Sequence, residues 1–240
     1  MATKNRAETK AAQRAERLAE LKAQAKAQER RRNLMVGGVV AVVLVLIGAV
    51  FFFVSQSNNV EASDAGQSAY GVTIGPDDAP KKVVIYEDFL CPFCGQLESN
   101  TRTELTQLAN DGKVQVDYRP FTLLSQAGDY SARSTGAFGV VLKASGPEVA
   151  KKFHDLLYEN QPEETASSFP DADALIKLAV EAGADEDEVS AGIKEGENDF
   201  ARKATEEAQK AGVNSTPTVL VDGKVISTNP DGKELLDELG

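Results

Sequence analysis

A run of 21 residues without a charged side chain, 34–54, constrains this chain more than any other feature of its sequence. A helix of about 20 apolar residues crosses the hydrocarbon core of a bilayer. A lone span must be helical, because its backbone finds no other hydrogen-bond partners there. A cleaved signal peptide is the alternative, but its apolar region covers only about 7–15 residues. We therefore expect an uncleaved transmembrane helix at 34–54.

Charge is distributed unevenly on the two sides of this run. Residues 1–32 carry ten Lys or Arg and four Glu, although the whole chain has a net charge of −11. Beyond the run, the first basic residue is Lys81. Basic flanks stay in the cytoplasm, so we expect a basic cytoplasmic segment at 1–33 and an extracytoplasmic remainder in a single-pass protein of the cell membrane. The acidic remainder also argues against a nucleic-acid partner.

The remainder is predicted to contain a linker and one folded domain. Residues 55–69 are small and polar, which favours a flexible linker and a domain at 70–240. Apolar runs predict strands in YGVTIG, KKVVIYEDF and KVQVDYRPF, and a hairpin in STPTVLVDGKVIS. Helical periodicity predicts a helical insertion at about 125–211 and a short closing helix. It also predicts a helix after the second strand, with an apolar face formed by Phe93, Leu97, Thr101, Leu105 and Leu108.

The only two cysteines of the chain, Cys91 and Cys94, lie where the second strand meets that helix. Pro92 suits the first helical turn, where its missing N–H costs nothing. Cys91 is then expected at the helix N-terminus, whose unpaired N–H groups favour a thiolate and lower the pKa into a range of about 3.5–7.5. Cys94 is one turn further in and shielded. This arrangement suits an attacking and a resolving thiol, whereas an inert structural disulfide is the alternative.

A metal site is not expected. Structural zinc needs four ligands, and the chain offers two Cys and one His. That histidine, His154, flanks an apolar helix face and is interpreted as a surface or partly packed residue, with a ligand or catalytic base as the alternative. No glycine-rich phosphate loop accompanies these residues, so the sequence predicts no cofactor.

The segments VVIYEDFLCPFCGQLE and, about 120 residues later, STPTVLVDG resemble the DsbA-like branch of the thioredoxin superfamily. The resemblance covers residues 70–240 and matches a membrane-anchored bacterial type. It implies an α/β thioredoxin fold with a helical insertion, and Cys91 and Cys94 as the catalytic pair. It further implies a cis bond between Thr216 and Pro217, lying against the pair, whose exposed backbone pairs with an extended substrate.

Two positions depart from the patterns of the superfamily. Thioredoxins have a buried acid six residues before the first cysteine, where this chain has Ile85. The nearest acids, Glu87 and Asp88, are candidates for proton transfer to Cys94, with solvent-facing acids as the alternative. The best-known DsbA enzymes have His at the third motif position, where Phe93 stands here, so Pro92 and Phe93 are expected to modulate the pair without supplying a cation.

The resemblance implies thiol–disulfide exchange on exported client proteins that contain cysteines. A disulfide oxidase is the preferred reading, with electrons passing on to a membrane or extracellular redox partner. A reductase or isomerase of the same fold remains an alternative within the enzyme class. A tethered binding module that keeps the fold but not the activity is the alternative from another class.

Overall fold

The computed structural model describes residues 60–196, 198–226 and 231–240. The predicted cytoplasmic segment, the predicted transmembrane helix at 34–54 and the first part of the predicted linker lie outside the described residues. Within the described ranges, none of the helices is both long enough and apolar enough to span a bilayer.

The core of the domain is a five-stranded mixed sheet. Its strands are β1 (Val72–Ile74), β2 (Lys81–Glu87), β3 (Val114–Pro120), β4 (Thr218–Val221) and β5 (Lys224–Val225), in the order β1-β3-β2-β4-β5. β2 pairs in parallel with β3 and antiparallel with β4. Because β2 lies in the middle and is covered on both faces, it contains the continuous apolar run Val83–Tyr86. β3 alternates apolar and polar residues, although all of its residues are buried.

Helices connect and cover these strands. They are α1 (Pro92–Asn110), α2 (Tyr130–Glu159), α3 (Ala172–Ala182), α4 (Glu186–Lys194), α5 (Asp199–Lys210) and α6 (Lys233–Leu239). α2 is kinked where Gly146 leaves helical geometry at φ 82° before Pro147. The side chain of Asp171 caps α3 at its start, and Gly183 ends it in the left-handed conformation at φ 110°.

The order of these elements defines the fold. The β2-α1-β3 crossover and the β4-β5 hairpin with α6 form a thioredoxin fold, and α2 to α5 are inserted between β3 and β4. The α/β thioredoxin fold with a helical insertion is therefore confirmed. Successive residues of β2 face opposite sides of the sheet: Val83 and Ile85 join the main core with α1 and α2, whereas Val84 and Tyr86 join a smaller cluster.

The segment before β1 differs from the sequence prediction. Residues 60–69 were expected to continue the flexible linker, but they lie against the sheet. The backbone N–H of Gly66, for example, donates to Asp117 Oδ2 at 2.9 Å. The folded domain therefore begins before Tyr70, the boundary predicted from the sequence, and includes residues 60–69.

A buried arginine explains why this segment is held. Arg119 on β3 is only 2% exposed, so its guanidinium needs protein acceptors. It donates to Asp117 Oδ2 at 2.9 and 3.0 Å, to the hydroxyl of Tyr86 at 3.0 Å, and to the carbonyl oxygens of Ser63 and Asp64 at 3.0 and 2.7 Å. The carbonyls of the incoming chain thus complete the hydrogen bonding of a charge that cannot reach water.

We expect Arg119→Met to destabilise the domain by about 3–5 kcal/mol, because it leaves Asp117 as a buried charge without its partner. Urea-induced unfolding followed by circular dichroism measures the loss. The matched control is Arg202→Met, since Arg202 is 49% exposed and pairs with surface acids. Losses of equal size in the two variants would contradict the anchoring role of Arg119.

Candidate active site

The dithiol motif lies at the junction of β2 and α1. Cys91 is the N-cap residue of α1, in extended conformation at φ −71° and ψ 118°, and Pro92 occupies the first helical turn. Both cysteines are free thiols. Cys94 is completely buried, whereas Cys91 keeps 4% exposure. What little access solvent has to the pair is therefore at Cys91.

The pairing of β2 with β4 brings Thr216 and Pro217 next to the two cysteines. Tyr86 at the end of β2 lies opposite Thr218 at the start of β4, and the Thr216–Pro217 bond just before β4 is cis. Cys91 Sγ lies 3.5 Å from the carbonyl oxygen of Thr216, and Cys94 Sγ lies 2.6 Å from its hydroxyl. The residues predicted from two distant segments are thus in direct contact.

The two thiols have opposite electrostatic environments. A hydrogen bond from the Cys94 thiol, helped by the Thr216 side chain and the backbone N–H groups of Cys94 and Phe93, outweighs burial and lowers the pKa of Cys91 to about 6. Burial, together with the neighbouring Cys91, raises the pKa of Cys94 well above its ordinary value. At neutral pH the reduced pair therefore consists of a Cys91 thiolate and a Cys94 thiol.

The two residues between the cysteines face solvent. Phe93 is 58% exposed, so its expected place on the apolar face of α1 is wrong. Cys94 occupies that face instead, because the buried face of α1 runs through Cys94, Leu97, Thr101 and Leu105. Pro92 is exposed as well. Together they form an apolar surface next to the thiolate.

Asp88 anchors a loop. It is fully buried, which excludes the solvent-facing alternative. Its carboxylate accepts hydrogen bonds from the N–H of Leu90 at 2.9 Å, from the N–H groups of Leu123 and Leu124 at 2.7 and 2.9 Å, and from the Ser131 hydroxyl at 2.5 Å. Because four donors already bind the Asp88 carboxylate, it is a poor proton donor to Cys94. Of the two acids predicted from the sequence, Glu87 alone remains a candidate for that proton transfer.

Glu87 is also fully buried, and its partner is His154 on α2. Glu87 Oε1 and His154 Nε2 are 2.5 Å apart, and His154 Nδ1 lies 3.1 Å from Asp155 Oδ1. Burial lowers the pKa of His154, but the charge of Glu87 and the hydrogen bonds to both acids raise it to about 9. The expectation of a surface or partly packed histidine was wrong, because a buried acid pairs with it from across the core.

Glu98, which the sequence analysis did not single out, lies beside this pair. It is fully buried on α1, one turn after Cys94 on the same face. Burial and the charge of Glu87 raise the pKa of Glu98 to about 7. An acid within an apolar stripe was the signal that could have revealed it.

Glu87, Glu98 and His154 are also the group of described residues whose ligand atoms, within 4.8 Å of one another, come closest to a metal site. Two ligands of one zinc ion, each bonded at about 2.0–2.2 Å, would lie about 3.3 Å apart. Glu87 Oε1 and His154 Nε2 are only 2.5 Å apart. Their geometry therefore fits a shared proton and not a shared metal ion.

Gln161, just beyond α2, is a further residue that the sequence analysis missed. Its side-chain amide donates to the carbonyl oxygens of Phe89 and Cys91 at 3.0 and 2.9 Å. A Cβ atom at Gly95 would lie only 2.1 Å from Gln161 Oε1. Glycine at this position therefore allows the insertion to hold the loop that carries Cys91.

Comparisons with known proteins agree with this geometry. A family model described as thioredoxin matches residues 67–239. The chain is 28% identical over 209 residues to "Probable disulfide bond formation protein D" of Bacillus anthracis, covering 83% of this chain and 91% of the relative.

Solved structures agree as well. DsbA from Mycobacterium tuberculosis, in its reduced state, superposes with a TM-score of 0.59 at 31% identity, covering 66% of this chain and 85% of that one. BdbD from Bacillus subtilis superposes with a TM-score of 0.65 at 24% identity, covering 75% and 97%. The likeness to BdbD is one of fold alone.

A thioredoxin fold with a free CxxC pair at a helix N-terminus defines a thiol:disulfide oxidoreductase. The chain belongs to the thioredoxin family and is a DsbA-like member of it, as the resemblance of its two motif segments implied.

We expect iodoacetamide to alkylate Cys91 with a pH midpoint of about 6 and to leave the buried Cys94 unmodified. Mass spectrometry of the reduced protein across a pH series identifies the modified residue and gives the midpoint. Cys94→Ala should raise the midpoint towards the ~8.5 of a free thiol, because it removes the hydrogen bond that contributes most to the thiolate. A wild-type midpoint near that of a free thiol would contradict the assignment.

Proposed function

We propose that the protein is an extracytoplasmic disulfide oxidase that acts on exported client proteins with cysteines. The observation that carries this proposal is the unequal pair, a stabilised Cys91 thiolate next to a buried Cys94 thiol. Whatever stabilises the reduced form of such a pair makes its disulfide a stronger oxidant. The name of the relative from Bacillus anthracis, a probable disulfide bond formation protein, supports the same direction.

The exchange proceeds in two steps. A client thiolate attacks Cys91 Sγ, the Cys91–Cys94 bond breaks, and a mixed disulfide between Cys91 and the client forms while Cys94 leaves. A second client thiolate then attacks the client sulfur and releases Cys91 as a thiolate. The client loses two electrons and the CxxC pair gains them. The Cys94 thiolate needs a proton on leaving, for which the buried Glu87 is the candidate from the sequence.

Client binding is proposed at Thr216 and Pro217. An extended client segment pairs with the backbone before β4, like an added strand, and this backbone touches Cys91. The exposed Phe93 and Pro92 supply an apolar surface beside it. Main-chain pairing and a general apolar contact favour many unfolded clients over one specific sequence.

The extracytoplasmic location is part of the proposal and rests on the sequence. The uncharged run at 34–54, with basic residues before it, favours a membrane-anchored domain outside the cytoplasm. Disulfides persist in such compartments. A membrane or extracellular redox partner is then needed to reoxidise the reduced pair after each client.

Cys94→Ala should accumulate mixed disulfides, which form when the Cys91 thiolate attacks a client disulfide and a client thiolate leaves, because no Cys94 thiol is left to attack Cys91 and release the client. Cys91→Ala is the matched control and should trap nothing. Non-reducing gels of cells expressing each full-length variant, followed by mass spectrometry of the trapped species, make the comparison. Equal trapping by the two variants would refute the attacking and resolving roles.

The reduction potential of the Cys91–Cys94 pair should lie between the ~−270 mV of thioredoxin and the ~−120 mV of DsbA with a His in its motif. Phe93→His should raise the potential and lower the Cys91 pKa, because an imidazolium adds charge stabilisation, whereas Phe93→Tyr should change neither. Equilibration with glutathione measures all three proteins. A wild-type potential as low as that of thioredoxin would favour a reductase.

The Cys91 pKa also determines how the stability of the folded, reduced protein depends on pH. Since that pKa of about 6 in the folded protein is below the ~8.5 of an unfolded chain, the thiolate stabilises the folded reduced form fully above about pH 8.5. The stabilisation is lost as the pH falls through 6.

A further inference from the structure

Residues 88–91 form a turn that leads from β2 into the CxxC motif. The N–H of Cys91 donates to the carbonyl oxygen of Asp88 at 2.9 Å. The carbonyl oxygen of Cys91 accepts from the N–H of Gly95 at 3.1 Å, which is the first hydrogen bond of α1. Main-chain contacts on both sides of Cys91 therefore determine where its sulfur lies.

Gln161 binds the same turn from the helical insertion. Its Nε2 donates to the carbonyl oxygens of Phe89 and Cys91, at 3.0 and 2.9 Å. A side-chain amide has two N–H donors, so both are used, and they join the main chain on either side of Leu90. The carbonyl oxygen of Cys91 thus receives one hydrogen bond from its own helix and a second from the insertion.

The end of α2 determines where Gln161 lies. The backbone N–H of Gln161 donates to the carbonyl oxygen of Tyr158 at 3.2 Å. The ring centroid of Tyr158 lies 5.2 Å from that of Phe89. The end of α2 and the residue that follows it therefore contact Phe89 twice, at its ring and at its carbonyl oxygen.

Gly95 leaves room for the amide on the surface of α1. A Cβ atom at this position would lie 2.1 Å from Gln161 Oε1 and 3.0 Å from Gln161 Cδ. Gly95 lies within α1 and has no positive φ, so its backbone does not require glycine. The close approach of Gln161 is therefore the contact that a side chain at this position would disturb.

We propose that Gln161 is a positioning residue of the attacking thiol: its side-chain amide holds the turn at Cys91 in the geometry in which the start of α1 stabilises the thiolate. This inference rests on the proposed exchange function and deepens it, because it assigns part of the oxidising strength of the pair to the helical insertion. Gln161 acts through the main chain, since its amide donates to two carbonyl oxygens and not to a sulfur.

The thiolate depends on this geometry because of the groups that stabilise it. Hydrogen bonds from the Cys94 thiol, and from the backbone N–H groups of Cys94 and Phe93, contribute to lowering the pKa of Cys91 to about 6. A hydrogen bond weakens steeply when its distance or angle departs from the optimum. A turn that is free to shift would weaken these bonds together, although every group that touches the sulfur is still present.

The test compares the wild type with Gln161→Met, a side chain of similar length that has no hydrogen-bond donor. Iodoacetamide alkylation of the full-length protein across a pH series should give a Cys91 pKa higher by about 0.5–1 unit, the effect of one ordinary hydrogen bond. Because a less stabilised thiolate makes the disulfide a weaker oxidant, the equilibrium constant for oxidation of glutathione at about pH 8 should fall about threefold to tenfold.

Gln96→Met is the matched control. Gln96 is exposed on α1, next to Gly95 in the chain, and its substitution removes the same amide from the same region of the surface. Both the Cys91 pKa and the glutathione equilibrium should keep their wild-type values. A shift in this control as large as that in Gln161→Met would overturn the specific role of Gln161.

Gly95→Ala tests the contact from the other side and leaves Gln161 in place. Its methyl group should displace the amide from the two carbonyl oxygens and raise the Cys91 pKa, as Gln161→Met does. Combined with Gln161→Ala, Gly95→Ala should add nothing to the shift of Gln161→Ala alone, because the contact it disturbs is already absent. Additive shifts would show that Gly95 does not act through Gln161 and would overturn this part of the proposal.

A wild-type Cys91 pKa and glutathione equilibrium in Gln161→Met overturn the proposal, even if urea unfolding shows a loss of stability. Gln161 would then satisfy two buried carbonyl groups without affecting the thiol. If Gln161→Met does not fold, Gly95→Ala decides by itself, and a wild-type pKa in that variant is the overturning result. Failure of the proposed function would look different: the wild-type disulfide would not exchange with glutathione, and Cys94→Ala would trap no clients.

Discussion

The antiparallel pairing of β2 with β4 is the interaction on which the site depends. It places Val83 opposite Val221 and Tyr86 opposite Thr218, and so brings a proline segment to a cysteine pair about 120 residues away in the chain. The pairing is secured by apolar side chains on both faces of the sheet, not by contacts within the site itself. The site can therefore hold exposed and unsatisfied groups while the sheet beneath it stays fully packed.

The chemistry of the pair follows from a difference in depth between two sulfurs. Cys91 ends the loop after β2 and receives hydrogen bonds from helix N–H groups, which stabilise its charge. Cys94 is one turn deeper, where burial opposes any charge. A CxxC pair on a surface loop would give both sulfurs similar environments. At the start of α1, Cys91 is stabilised as a thiolate and the buried Cys94 is kept as a thiol, so the two sulfurs are unequal.

Much of this could be predicted from the sequence, since the signals are local. The apolar run of β2, the helix periodicity of α1 and the turn at Asp222-Gly223 each reflect a few neighbouring residues. His154 and Glu98 could not be interpreted in the same way. A polar residue in an apolar stripe shows only that something must satisfy it, and the partner, Glu87, lies in a different element.

The hold of Arg119 on Ser63 and Asp64 was missed for a related reason. Its acceptors there are backbone carbonyls, which every residue has and no sequence pattern marks. The transmembrane helix at 34–54 stays a prediction, since its signal lies outside the described residues.

The helical insertion belongs to the active site as much as the thioredoxin core does. From it, Ser131 donates to Asp88, His154 pairs with Glu87, and Gln161 donates to the carbonyl oxygen of Cys91. These contacts reach Glu87 at the end of β2, and Asp88 and Cys91 in the loop that leads to α1. An insertion that only covered the core could vary freely, as long as it stayed apolar. An insertion that holds the loop of Cys91 and pairs with Glu87 fixes the surroundings of both sulfurs. We therefore expect substitutions far from the CxxC motif in sequence to change the reduction potential of the pair.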